Sequence, residues 1–225
     1  MPAFEFNGLT VESYTWDVID SNSYLICGGK HGLLIDAVDS QELYRRIAAL
    51  EDLTILLTHS HFDHISGLNS IREILPGSVV ISTKRCSEKL GNQYKNMSSA
   101  ANAYLSFYQD GKNRSTVIEP FICAPSDRVF EEETQFEWHG RKITLKPCFG
   151  HSDDGVMILM DGKWLFSGDT ILPMPTVTRF IGGSKKRFRE EDIPYLETLT
   201  EVIDTVFPGH GSPGKLEDMI AKNRN

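Results

Sequence analysis

The chain has 225 residues, of which 40% are hydrophobic and 24% charged, and a formal net charge of −8. That length and composition fit one sizeable globular domain, residues 1–225, and exclude a fibrous or disordered class. The negative balance argues against a nucleic-acid partner, whose phosphates need clustered Lys and Arg.

At the N-terminus, residues 1–8 show no basic region followed by an apolar core. No run approaches the ~18 apolar residues of a membrane helix, so a cytoplasmic protein without membrane attachment is expected. Residues 9–16, 22–27 and 32–36 are short and rich in β-formers, and Gly28-Gly29-Lys30-His31-Gly32 reads as a hairpin connection. Ser40 precedes apolar residues at 43, 44, 47 and 50, the spacing of a helix that Ser40 caps. Residues 54–58 read as a buried strand, 65–75 as a helix stopping before Pro76-Gly77, and 79–81 as another strand.

From 84 to 109 the pattern turns helical, with Tyr94, Met97, Tyr104, Leu105, Phe107 and Tyr108 spaced to form an apolar-aromatic face. That face either packs on the core or caps a site, in which case Tyr104 and Tyr108 are candidate substrate contacts. Strand signals resume at 127–130, 134–138, 142–148 and 156–160, with Asp161-Gly162 as a hairpin turn before Trp164-Leu165-Phe166. A helix is expected over 190–202, followed by an apolar segment at 205–207. Cys27, Cys86, Cys123 and Cys148 are widely spaced and read as reduced, mostly buried thiols. Asn96-Met97-Ser98 and Asn113-Arg114-Ser115 match a glycosylation triplet by chance in such a setting.

The chemistry concentrates in Thr58-His59-Ser60-His61-Phe62-Asp63-His64, directly after Ile55-Leu56-Leu57. Packing does not require such a cluster. In an extended segment residues i and i+2 point the same way, so His59 and His61 can reach one ion, while Asp63 and His64 fall at the turn beyond. Later strand signals each end near another possible ligand: His151, Asp169 in Ser167-Gly168-Asp169-Thr170, and His210 in Pro208-Gly209-His210-Gly211. His31 and His139 lie beside turn glycines and fall outside the set.

This ordered pattern resembles the metallo-β-lactamase-fold hydrolase superfamily over nearly the whole chain. The resemblance implies an α/β fold, a four-layer αββα sandwich of two mixed sheets, with a helical insertion near 84–110. It implies that His59, His61 and His151 hold one divalent ion and Asp63, His64 and His210 a second, with Asp169 bridging. Imidazole and carboxylate ligands suit zinc first, with iron or manganese as alternatives. By the same resemblance, a water bridging the two ions is the nucleophile and Asp63 orients it or accepts its proton. Asp36, at the end of Leu33-Leu34-Ile35, is either an ordinary strand-end aspartate or a residue that steadies a ligand.

Within the superfamily, Gly150-His151-Ser152-Asp153-Asp154-Gly155 and Trp164-Leu165-Phe166-Ser167-Gly168-Asp169 are most similar to quinolone-signal biosynthesis thioesterases and related small-molecule hydrolases. A thioester substrate is therefore expected. A lactone, a mononuclear-iron persulfide dioxygenase reaction, and a regulatory protein that retains its metals are the alternatives. Lys185-Lys186-Arg187-Phe188-Arg189 is the densest basic run. It reads either as a solvated loop or as a receiver, through Lys185, Lys186 and Arg187, for the phosphates of coenzyme A or of a carrier protein's phosphopantetheine. Substrate identity and oligomeric state are not legible.

Overall fold

The computed structural model describes residues 3–6, 9–108 and 116–224. Asn113-Arg114-Ser115 and the end of the expected 84–109 helical stretch lie outside the described residues. Backbone contacts divide the chain into two compact units, Met1–Ile81 with Ser87–Arg128, and Ser82–Cys86 with Val129–Asn225.

One sheet has its strands in chain order, the first five of them within the first unit. Its strands are β1 (Ala3–Phe6), β2 (Leu9–Trp16), β3 (Ser21–Gly28), β4 (His31–Ile35), β5 (Asp52–Leu56), β6 (Val79–Thr83) and β7 (Arg128–Phe130). The hairpin joining β3 to β4 turns at Gly29, whose φ of 68° a side chain would disfavour. From β4 to β6 the pairing becomes parallel, which demands crossover helices. These are α1 (Gln41–Ile47) and α2 (Leu68–Ile74). Ser40 caps α1 as expected, its side chain accepting from Leu43 N at 3.4 Å. The helix expected from 65 starts instead at 68, because residues 62–64 first form a 3₁₀ turn and Gly67 N is committed to Ala37 O at 2.7 Å. Tyr44, Leu43 and Ile47 of α1 are buried with Leu33, Leu34, Ile55 and Leu56 of the sheet.

The expected 84–109 helix is two helices, α3 (Lys84–Leu90) and α4 (Ala101–Tyr108), separated by an irregular stretch. Met97 and Leu105 are buried, but Tyr94 is 68% exposed and does not join the apolar face assigned to it.

The second unit carries β8 (Thr134–Trp138), β9 (Arg141–Pro147), β10 (Val156–Met160), β11 (Trp164–Gly168) and β12 (Thr205–Pro208), in the order β12-β11-β10-β9-β8. Asp161 and Gly162 both adopt left-handed φ, 52° and 64°, as a tight turn between twisted antiparallel strands requires. The helix expected over 190–202 begins and ends earlier. Lys185–Arg187 forms α5, Phe188–Asp192 widens into a π-helical turn, and Ile193–Glu197 forms α6. Pro194 accounts for the widening, since it has no N–H to give the carbonyl four residues before it. The basic run is thus helical, capped by Ser184, whose Oγ accepts from Arg187 N at 3.3 Å.

The two short elements that sequence reading missed are β1 and the C-terminal α7 (Leu216–Asn223). Leu216, Met219 and Ile220 of α7 join Leu165, Leu196, Val206 and Phe188 in one hydrophobic cluster, which ties α6 and α7 to the strands that end at Asp169 and His210. No helix among the described residues is long and apolar enough to cross a membrane.

Candidate metal centre

In the first unit, β4 and β5 lie side by side and in parallel, so the residues just beyond their carboxyl ends meet. Asp36 follows β4 in a left-handed backbone conformation, φ 58°, and is 1% exposed. Its Oδ1 accepts from Thr58 N at 2.7 Å, and its Oδ2 accepts from Thr58 Oγ1 at 2.7 Å and His64 Nδ1 at 2.8 Å. Because the Thr58 hydroxyl gives its proton to Asp36, it receives one from His59 Nδ1, 3.0 Å away. One buried carboxylate therefore sets both rings as Nδ1–H tautomers, leaving Nε2 as the basic nitrogen of His59 and His64. Of the two readings the sequence allowed for Asp36, the structure realises the steadying one.

His59 Nε2 stands 3.0 Å from His61 Nδ1, so the i, i+2 pair does converge. Asp63 and His64 sit in the 3₁₀ turn, with Asp63 Oδ2 3.5 Å from His64 Nε2. The backbone of this turn is held by Ser21 Oγ, which donates to Asp63 O at 3.1 Å, and by Ala37 N, which donates to His64 O at 2.8 Å. All four side chains, His59, His61, Asp63 and His64, are buried.

The second unit brings together the remaining three. Asp169 follows β11 and His210 follows β12, strands paired in parallel, and His151 follows β9. Asp169 Oδ2 lies 3.4 Å from His210 Nε2 and 3.7 Å from His151 Nε2. His151 Nδ1 donates to the carbonyl of Val177 at 2.7 Å, which again leaves Nε2 basic. The turn before His151 is gripped from both sides. Gly150 N donates to Asp192 Oδ2 at 2.9 Å, and Gly150 O accepts from Ser184 N at 2.7 Å. A Cβ at Gly150 would lie 2.7 Å from Phe188 Cα and would strike Asp192 Oδ2. At Gly211, φ 79°, a Cβ would lie 2.6 Å from Pro173 Cγ, so glycine alone fits after His210.

These two donor sets fit divalent metal. Ligand atoms on one tetrahedral ion with bonds near 2.0–2.1 Å lie roughly 3.3 Å apart, and the nitrogen and oxygen spacings within each unit, 3.0 to 3.7 Å, cluster about that value. Thiolate does not compete. Burial pushes the Cys123 thiol up to about 12 and raises Cys148 as well.

A family model described as the metallo-β-lactamase superfamily matches residues 16–210, a span that takes in every one of these side chains. The chain belongs to that superfamily. It is 27% identical over 218 residues to the beta-lactamase-like protein 2 homolog of Drosophila melanogaster, covering 90% of this chain and 61% of that protein. It is 28% identical over 207 residues to the probable metallo-hydrolase M6_Spy0554 of Streptococcus pyogenes, covering 86% and 80%. Among solved structures, the di-iron-bound form of TTHA1623 superposes with a TM-score of 0.71 at 24% identity, covering 95% of this chain and 98% of that one. Membership of that superfamily carries the metallo-β-lactamase fold with it.

The candidate substrate contacts fare unevenly. Tyr104 is half-buried on α4, and the side chain of Tyr108 lies outside the described residues. Lys186 and Arg187 turn to carboxylates one helical turn on, Glu190 and Glu191, each at 3.9 Å, and Arg187 also lies over the Phe149 ring. Lys185, Phe188 and Arg189 of the basic run line a cavity. Thr58, Val177 and Asp192 are the positioning residues that sequence reading missed. Thr58 was legible in principle, as a hydroxyl beside His59. Val177 and Asp192 act on a turn 26 and 42 residues away and leave no local signal.

Proposed function

We propose that the chain is a metal-dependent hydrolase whose two ligand sets act together on a small carbonyl substrate, a thioester before a lactone. The observation that carries this reading is the pair of largely buried donor sets, in which His59, His64 and His151 are pre-set to offer Nε2 beside carboxylate oxygens. His59, His61 and His151 would hold one ion, Asp63, His64 and His210 a second, with Asp169 shared. Bound divalent metal, zinc or iron, would supply Lewis acidity and lower the pKa of a coordinated water towards ~7. Asp63 would orient that water or accept its proton. Asp36 and Thr58 fix the imidazole tautomers, and Val177 O does the same for His151. The thioester preference rests on the Gly-His-Ser-Asp-Asp run before β10 and on cationic side chains near His151 suited to an anionic carrier. A cytoplasmic setting with reduced thiols accords with this reading.

The test is metal analysis of the purified protein beside a hydrolysis screen of acyl-thioesters and lactones. We expect about two equivalents of transition metal per chain, turnover abolished by chelation, and at least a hundredfold loss of kcat/KM in His61→Ala. A chain that never holds more than one ion when prepared in several metals overturns the dinuclear assignment. A biological effect that survives His61→Ala overturns the enzyme reading.

A further inference from the structure

The second unit holds a cavity of about 430 Å³ walled by three stretches that are distant in sequence: residues 175–179, residues 185–189, and the end of α7. Four cationic side chains line it, Arg179, Lys185, Arg189 and Lys222, and its lining contains no Asp or Glu. In a chain whose net charge is −8, four like charges around one cavity are not a reflection of composition. Elsewhere on the same helix the basic residues are neutralised, since Lys186 and Arg187 face Glu190 and Glu191. Arg179, Lys185, Arg189 and Lys222 have no ion pair among the described residues. The 185–189 run is thus sorted into two faces, one self-neutralised and one left cationic on the cavity side.

The cavity's wall is built rather than incidental. Asn223, 6% exposed, donates from Nδ2 to the carbonyls of Leu172, Met174 and Met219 at 2.9 to 3.1 Å and accepts from Thr176 N at 2.6 Å. It clamps the 172–176 segment to α7. Thr176 Oγ1 is buried in that lining with no hydrogen-bond partner among the described residues. The same wall continues to Val177, whose carbonyl holds His151 Nδ1. A group bound in the cavity therefore sits one residue along the chain from the strut that orients a candidate metal ligand.

We propose that this cavity binds the diphosphate-bearing portion of an anionic small molecule, of the kind a nucleoside diphosphate presents. Arg179 and Arg189 supply planar two-pronged donors, while Lys185 and Lys222 act as point charges. Four positive charges match the charge of a diphosphate with a further phosphate better than that of a single carboxylate. Taking the bound group to be part of the substrate rests on the hydrolase reading; the binding itself does not.

The experiment titrates ADP into the purified, metal-containing protein and into variants, by calorimetry at low and high salt. We expect Arg179→Ala/Lys222→Ala to weaken ADP binding at least tenfold, high salt to weaken it in the parent, and Lys186→Ala/Arg187→Ala and His61→Ala to leave it unchanged. Absence of binding at millimolar ADP, or binding lost in His61→Ala but kept in Arg179→Ala/Lys222→Ala, overturns the site; the latter means capture by metal. A second arm separates the two readings. For an acyl-thioester carried on a nucleoside diphosphate, the double variant should raise KM tenfold or more at constant kcat, with KM for an uncharged short thioester unchanged. If no thioester turns over while ADP binding still depends on Arg179 and Lys222, the hydrolase reading fails and the cavity stands. If thioesters turn over and the double variant moves neither ADP binding nor KM, the cavity assignment fails alone.

Discussion

The two ligand-bearing regions solve the same problem by different means. In the first unit His59, His61, Asp63 and His64 come from one short stretch, and a single buried carboxylate, Asp36, governs the tautomers of two of them. In the second, His151, Asp169 and His210 come from three separate strand ends. His151 is held there by the carbonyl of Val177 and by the turn at Gly150, which Asp192 Oδ2 and Ser184 N grip. A hub concentrates risk in one side chain; several separate contacts spread it across close packing. The first region should therefore be broken by removing one carboxylate, and the second by adding one methyl group.

The largest effect is expected at Asp36. Asp36→Ala strips acceptors from Thr58 N, Thr58 Oγ1 and His64 Nδ1, all buried, and puts alanine in a left-handed conformation. Leaving such donors unsatisfied costs about 1–3 kcal/mol each, so a loss of several kcal/mol in urea unfolding is expected. Asp36→Asn tolerates the backbone and keeps one acceptor oxygen, but its amide hydrogens face groups that already donate. It should lose less stability than Asp36→Ala and still lose 10- to 100-fold in metal affinity, measured by competition with a chelator. Equal metal affinity in Asp36→Asn and the parent would show that the hub does not govern the ligands.

The same contrast explains what the sequence made legible. His59 to His64 announce themselves by spacing, and the strand ends that carry His151, Asp169 and His210 follow from apolar runs and Gly-Asp or Gly-His turns. The mixed α/β elements were legible for the same reason: β2, β3, β8 and β10 follow β-former runs, and Ser40 caps α1. What escaped is set by tertiary contact. The 3₁₀ turn at 62–64 displaces a helix start because Gly67 is spoken for by Ala37 O. Tyr94 fits a helical stripe by number yet faces solvent, since the helix it would belong to breaks after Leu90. The basic run 185–189 could be counted but not sorted into its neutralised and cationic faces, because that depends on which side of α5 meets residues 175–179.

For the second region the corresponding break is Gly150→Ala. The added methyl would lie 2.7 Å from Phe188 Cα, a backbone atom that cannot step aside, and would press on Asp192 Oδ2. Overpacking of this kind costs about 1–3 kcal/mol. The turn leading into His151 must move, so the ion that His59, His61 and His151 would hold should weaken at least tenfold, while the ion that Asp63, His64 and His210 would hold is unaffected. Two binding steps, resolved by calorimetry with zinc, would then separate: one step shifts and the other does not. Both steps shifting together would mean that the Gly150 turn supports more than His151.

The smallest expected effect sharpens the comparison through pH. Burial pushes the Asp192 carboxyl from the ordinary 3.8 up to about 6, against the opposing pull of the Gly150 and Phe149 N–H groups. A carboxyl whose folded pKa is raised binds more protons when folded than when unfolded. Its contribution to stability is thus complete below about 3.8 and is lost as pH rises through about 6. The shift corresponds to at most about 3 kcal/mol, so the scaffold around Gly150 carries a charged strut at neutral pH at a cost to folding. Asp192→Asn keeps an acceptor for Gly150 N without the charge. Relative to the parent it should gain stability as pH rises from 4 to 7, and show no gain at pH 4, in urea unfolding followed across that range. Asp192→Ala, which leaves Gly150 N without its acceptor, should gain nothing at pH 7. If Asp192→Asn and Asp192→Ala instead behave alike at every pH, the carboxylate is not holding the turn, and the second region owes its geometry to packing by Phe188 alone.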